Sequence, residues 1–354
     1  MKLFFFLSTA FAAGASAAVQ VSGRSMNSSC PKAPGNFTIE RNRLYPENLD
    51  FDSHHCKLYL GANFDGYVLV YDPWNGTQKT IEIPGVTGVY PYHISGIDFD
   101  NRTGMMYFAA NSGMPFETSG ANLTGPNQLV QYDTNTETLG YIINMEGFQQ
   151  EVLQSHSLFV TGFQDMDEDE EGNVYFLATY GGAVAKVSPL GTVTPFYVAQ
   201  NTNKSTSWSN GISITGDKAL LFDETQAALI SLDLTKTSPA AVNVPVSGLP
   251  TDETIDCDGL YIPPKYDGRV LLCSSDGLGK IIVFRTEDGW ETASFAGGIA
   301  NTIADGWATA SVQINNSIYM NEEYFFDTGI WDQAGNRTLF PVVDITSHLE
   351  SILS

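Results

Sequence analysis

Apolar and polar residues in this chain alternate in short runs broken by Gly, Asp, Asn and Pro, the pattern of β-strands rather than of helices. The runs recur as a unit: an apolar strand, a turn, a second strand rich in Leu, Tyr and Phe, a third strand often ending in Tyr-Asp or Leu-Asp, and a fourth. Copies fall at 48–86, 93–145, 162–200, 208–248, 257–299 and 309–346, a period of about 40 to 50 residues. The first reads L-D-F-D, K-L-Y-L-G, Y-V-L-V-Y-D and K-T-I-E-I; the second reads G-I-D-F-D, G-M-M-Y-F-A, Q-L-V-Q-Y-D and L-G-Y-I-I. Four strands per unit at this period predict an all-β fold, a six-bladed β-propeller with four-stranded antiparallel blades. The sixth copy carries S-V-Q-I, S-I-Y-M-N, G-I-W-D and L-F-P-V-V-D-I, four strands of its own, so the closing strand is left open, with 37–40 available to join an edge. Helical patterning is confined to 148–158 and the C-terminal tail.

The first residues change the picture of where this fold is made. Lys2 precedes an apolar run from Leu3 to Ala13 and then Ala15-Ser16-Ala17, the layout of a cleaved secretory signal. The run is too short for a membrane anchor, which needs roughly 20 residues. The expected organisation is a signal peptide over 1–17, an N-terminal extension over 18–46, the propeller over 47–346 and a tail over 347–354. Asn-x-Ser/Thr sequons at Asn27, Asn36, Asn75, Asn101, Asn122, Asn203, Asn315 and Asn336 agree with a secreted, N-glycosylated protein. The four cysteines allow three pairings. Cys30 with Cys56, tying the tail to the first sheet, and Cys257 with Cys273, on one hairpin, are the expected bridges. A formal charge of −23 argues against nucleic acid and anionic lipid as partners.

The acidic run at 165–171 reads as a solvated hairpin tip, because the twelve-residue ligand pattern of an EF-hand is missing. No G-x-S-x-G elbow and no Walker or Rossmann loop occurs, which disfavours serine acyl transfer and nucleotide chemistry.

In a propeller the innermost strands line a central channel, so the residues that begin them converge on one mouth. Those starts carry Glu47-Asn48, His93, Gln164-Asp165, Asn210-Gly211 and Asp258-Gly259. His93 would exchange protons there near neutral pH. Long loops at 111–127, 146–161 and 199–209 read as lids over this rim. With their neighbours they carry Tyr90, Tyr92, Phe116, Phe148, Trp208, Trp307, Tyr324, Phe325 and Phe326, which are expected to wall an apolar pocket. Glu47, the S-N-G-I-S-I segment at Asn210 and the C-D-G-L-Y-I segment at Asp258 resemble the pattern of the gluconolactonase and regucalcin-like propellers. That resemblance implies Ca2+ or another divalent cation held by Glu47, Asn210 and Asp258, with Asp258 doubling as a base.

Beyond the blade pattern, Y-P-E-N-L-D-F-D from Tyr45, L-G-A-N-F-D-G-Y-V-L-V-Y-D-P from Leu60 and Y-P-Y-H-I-S-G-I-D-F-D from Tyr90 look like a secreted fungal propeller family found with trichothecene toxin gene clusters. The resemblance implies a role in terpenoid toxin formation or virulence. The ligand it implies is a small, apolar, oxygenated molecule of sesquiterpenoid type, bound by a monomer without membrane insertion. On this reading a cyclase closes an oxygen ring from an allylic triol. Catalysis would fall to Asp258, His93 and Glu47, and contact with the substrate to Tyr92, Gln164, Asn210, Trp208, Trp307, Phe116 and Phe326. The alternatives are a calcium-dependent lactonase and a ligand-binding propeller without catalysis.

Overall fold

The computed structural model describes residues 30–251, 253–301, 305–327 and 335–354. The expected leader, the Asn27 sequon and the G-I-W-D segment lie outside them. The described chain forms six small sheets, each one blade of a β-propeller. The first blade shows the plan: Pro46–Asp52, Lys57–Ala62, Tyr67–Tyr71 and Gln78–Glu82 follow one another outward from the axis, each antiparallel to the next. Blades two to four repeat it, with inner strands Tyr92–Asp100, Thr161–Glu168 and Ile212–Thr215. In blade five the inner strand is Leu260–Tyr261, and a fifth strand, Val246–Ser247, runs parallel along its outer edge.

The ring is closed by strand exchange. Blade six takes Trp307–Ile314, Ser317–Glu323 and Leu339–Asp344 from the end of the chain and its outer strand, Phe37–Glu40, from the beginning. This differs from a last blade built wholly from the C-terminal copy. The pairing runs from Phe37 opposite Val342 to Glu40 opposite Leu339, so backbone hydrogen bonds join the two ends of the propeller. The bridge Cys30–Cys56 fastens the segment before this strand to blade one, and Cys257–Cys273 pins the entry of blade five, so both expected disulfides form.

Blades pack face to face, which explains the sequence pattern. Tyr67–Tyr71 is buried at every position, whereas the outer strand Thr138–Asn144 alternates between exposed and half-buried. Among the described residues six clusters of buried apolar side chains fill the gaps between neighbouring blades, one to each gap. The non-polar core is therefore a ring around the axis, and the axis itself is left to polar groups. Two loops carry helices, Met114–Glu117 and Glu146–His156, and Thr346–Leu353 packs on blades five and six. No described helix is long and apolar enough to cross a membrane.

One expectation is overturned. The acidic run is not a solvated tip: Asp165, Asp167 and Glu168 belong to the inner strand Thr161–Glu168 and line the channel, and only the residues from Asp169 onward turn. Alignment with L-D-F-D and I-D-F-D explains why. Asp50, Asp98 and Asp167 stand at one repeat position, opposite Tyr59, Tyr107 and Tyr175 respectively.

Candidate active site at the mouth of the channel

Each inner strand starts at one rim of the channel and runs down it; the second strand returns to the same rim. The start of one and the end of the other therefore meet. A cavity of about 170 Å³ opens there. From the strand starts it receives Glu47, His93, Gln164, Asn210 and Asp258, so the residues that the sequence placed at the mouth do come together. Close approach of the backbones accounts for two of the adjoining glycines. A side chain at Gly211 would overlap the Leu260 amide, and one at Gly259 the Thr309 carbonyl. Neither residue has a positive φ, so the Asn-Gly and Asp-Gly pairs serve inter-blade contact rather than a turn.

The strand ends supply what sequence reading missed. Asn63, Asn111, Thr179 and Asp276 line the cavity, while Glu224 and Glu323 bond to its walls. These six occupy one repeat position at the end of the second strand, a signal available to anyone who followed the hairpin back to its origin. Glu117, from the short helix in the loop over blade two, was also missed. Its Oε1 lies 3.2 Å from His93 Nε2, and its Oε2 accepts from the Tyr90 hydroxyl at 2.8 Å. Both members of the His93–Glu117 pair are about 5 % exposed, and Phe64 and Phe116 stand edge-on to the imidazole. Gly113 leaves the space that the imidazole fills, since a Cβ there would collide with it.

Acidic groups dominate the rest. Burial, then the neighbouring Glu323, Asp165 and Asp276, hold the Glu47 carboxyl well above the usual carboxylate range. Burial, then Glu47, Asp276, Glu323 and Glu224, do the same to Asp258. Burial pushes Glu323 up to about 8 despite its hydrogen bond from Asn63, and burial with the Asp256 contact pushes Asp276 to about 7. No lysine or arginine lines the cavity among the described residues. Glu47 Oε2, Asn63 Oδ1, Asn111 Oδ1 and Thr179 Oγ1 are buried without a hydrogen-bond partner, so the walls present polar atoms to whatever enters. Asn210 donates its amide to Glu224 Oε1 at 2.8 Å, which leaves its side-chain oxygen to meet a ligand. The floor is shut by Gln164, whose amide reaches Asp258 Oδ1 at 3.4 Å, and by Asn48, which reaches Asp165 at 3.5 Å.

The aromatic residues divide. Phe116 lines the cavity and touches Phe325, which leads to Trp307 and then to the exposed Phe326, an apolar ridge beside the opening. Tyr92 and Trp208 do not reach it. Tyr92 is next to His93 on a strand, so it faces the other way into the core between blades one and two. Trp208 stacks on Tyr197 in the core between blades three and four.

A six-bladed propeller with an acidic, histidine-bearing mouth is the class that this geometry defines. The chain belongs to the Mal s 1 allergenic protein-like family, whose profile matches residues 21–321. It is 24% identical over 346 residues to trichothecene biosynthesis protein 14 of Trichoderma arundinaceum, covering 93% of each chain. It is 23% identical over 342 residues to core trichothecene cluster protein 14 of Fusarium sporotrichioides, covering 92% of this chain and 88% of the relative. Among solved structures it resembles the Malassezia sympodialis allergen Mala s 1, with a TM-score of 0.78 and 19% identity over 88% of this chain and 96% of the allergen. It also resembles the calcium-binding protein regucalcin of Agrobacterium tumefaciens, with a TM-score of 0.55 and 14% identity over 87% and 92% of the two chains.

Proposed function

We propose that this protein is a secretory-pathway, N-glycosylated enzyme that acts by proton transfer on a small, apolar, oxygenated molecule of the trichothecene type. The reaction proposed is closure of an oxygen ring from an allylic triol with loss of water. The observation that carries it is a single cavity holding two buried carboxyls, Glu47 and Asp258, both held well above the usual carboxylate range, together with an imidazole fixed by a carboxylate, under an aromatic wall.

In the proposed step a carboxyl proton passes to the allylic hydroxyl, the C–O bond breaks and water leaves. A second hydroxyl of the substrate then bonds to the allylic carbon and gives its proton to His93. Glu117 orients the ring and stabilises it once protonated. This assignment moves the base role from Asp258 to His93, because burial favours the protonated form of the Asp258 carboxyl and so suits it to the role of acid. Phe116 and Phe325 face the allylic cation as it forms. The small cavity takes the reacting end of the molecule, and the ridge of Phe325, Trp307 and Phe326 takes its apolar body. The relatives named for trichothecene biosynthesis support the substrate class. The test is incubation of purified protein with the triol at a pH where spontaneous closure is slow. The expected result is a rate above buffer that falls by about a hundredfold or more in His93→Ala; no acceleration by the wild type rejects the reading.

A second reading is favoured by the unpartnered Glu47 Oε2 beside the Asn210 oxygen and Asp258, three hard oxygen donors suited to a divalent cation. When bound there, the cation would polarise a lactone carbonyl for hydrolysis. Loss of lactone turnover on chelation supports it, and turnover indifferent to chelation rejects it.

A further inference from the structure

The channel holds a second cavity, of about 440 Å³, on the far side of the Gln164 and Asn48 floor. Its wall carries Asp50, Asp98, Asp167 and Glu168. The repeat shows how such carboxylates are usually satisfied. Asp50 of blade one accepts from its own neighbour, the Phe51 amide, and from the Phe99 amide of blade two, each at 2.7 Å. Asp167 of blade three accepts from the Glu168 amide at 2.7 Å and from the Ile214 amide of blade four at 2.6 Å. Asp98 of blade two occupies the same position, yet the two amides that this pattern would offer it, Phe99 and Glu168, are already given to Asp50 and Asp167. In place of a donor it meets the Glu168 carboxylate.

Three consequences are visible. One ligand oxygen from each of Asp98, Asp167 and Glu168 lies within 4.8 Å of the other two. Asp98 Oδ2 and Glu168 Oε2 are buried with no hydrogen-bond partner, and the Glu168 side chain is only 10 % exposed. The nearby Arg102 stands 3.7 Å from Glu168 Oε1 but is held more closely by Asp100, at 2.9 Å, and by the Asp169 carbonyl. Oxygens around one hard divalent cation such as calcium, bound at about 2.3 to 2.6 Å, lie no more than about 5.2 Å apart, so three carboxylate oxygens this close fit one coordination sphere. We propose that Asp98, Asp167 and Glu168 form a calcium site that joins blades two and three at the end of the channel opposite the mouth. The ion supplies the positive partner that the repeat's amides withhold from Asp98. This site shares no residue with the mouth, so it does not depend on the function proposed there.

The test uses the full-length secreted protein, stripped with a chelator and titrated with calcium chloride in a calorimeter. One calcium is expected to bind and to raise the melting temperature. That binding should survive Glu47→Gln/Asp258→Asn at the mouth and disappear in Asp98→Asn/Glu168→Gln. Binding that is lost only with the mouth variant overturns the proposal, as does an absence of calcium binding, which would leave a proton shared between Asp98 and Glu168 as the neutralising device. If the channel variant does not fold, crystals of the wild type soaked in calcium decide. Anomalous density between the three carboxylates supports the site, and density confined to the mouth or none at all refutes it.

Discussion

At the scale of single residues, the mouth is organised around one imidazole. His93 has its position set by Gly113, its flanks by Phe64 and Phe116, and its Nε2 contact by Glu117, which Tyr90 holds in turn. A chain of this kind makes Glu117 a positioning residue, and a double-mutant cycle distinguishes that from a merely structural role. Glu117→Gln is expected to lower the rate of the proposed ring closure by between about tenfold and about a thousandfold. Added to His93→Ala it should lower it no further; independent, additive losses would contradict the coupling. His93 was legible in the sequence because it begins a strand. Glu117 was not, since its link to His93 depends on how a lid loop folds back over the rim, and no local pattern encodes that.

Individual elements repeat the lesson in another form. The inner strands could be found from alternation and turn residues alone, and with them Glu47, Gln164, Asn210 and Asp258. The far ends of the second strands were equally periodic, but their residues are Asn, Thr, Asp and Glu just before loops, which look like turn formers when the hairpin is read in one direction only. Residues 165–168 were misjudged for a related reason. Six acidic side chains within the seven residues 165–171 resemble a solvated loop by composition, while the register with Asp50 and Asp98 places Asp165, Asp167 and Glu168 on a strand. The strand Phe37–Glu40 is the element on which closure rests, and Ile39 within it is fully buried in the core between blades six and one. Replacing Ile39 by Ala is expected to cost about 3 kcal/mol, read as a lower urea midpoint; an unchanged midpoint would mean that the ring does not rely on this strand.

For the whole molecule, the channel is a column of carboxyls inside a ring of apolar cores. Glu323 and Glu168 are pushed to about 8, Asp50 and Asp276 to about 7 and Asp167 to about 6, in each case mainly by burial. The unfolded chain releases these protons near pH 4. Between about pH 4 and pH 8 the folded state therefore binds more protons than the unfolded one, and stability must fall as pH rises through that window. Asp72 and Asp327, held low by Lys57 and Arg337 respectively, act in the opposite sense, and their share is lost only under more acid conditions. Thermal melts in chelator should show the highest melting temperature near pH 4 to 5 and a steady decline to pH 8. A melting temperature that rises over the same range would show that the buried carboxyls are ionised and compensated by some other means. The sixfold architecture itself was open to sequence reading, because it rests on periodicity; residues 37–40 could be named as an available edge strand, but not assigned to the last blade, because that blade lies some three hundred residues away.

That arrangement orders events during biosynthesis. A ribosome releases the strand Phe37–Glu40 some three hundred residues before its partner Leu339–Asp344, so every blade between them must emerge before the two can pair. Cys30 and Cys56 are 26 residues apart, so on the secretory route proposed above their bridge can form while later blades are still being translated. The bridge then acts as a mooring: it keeps the first strand beside blade one, at the gap into which the final blade must dock.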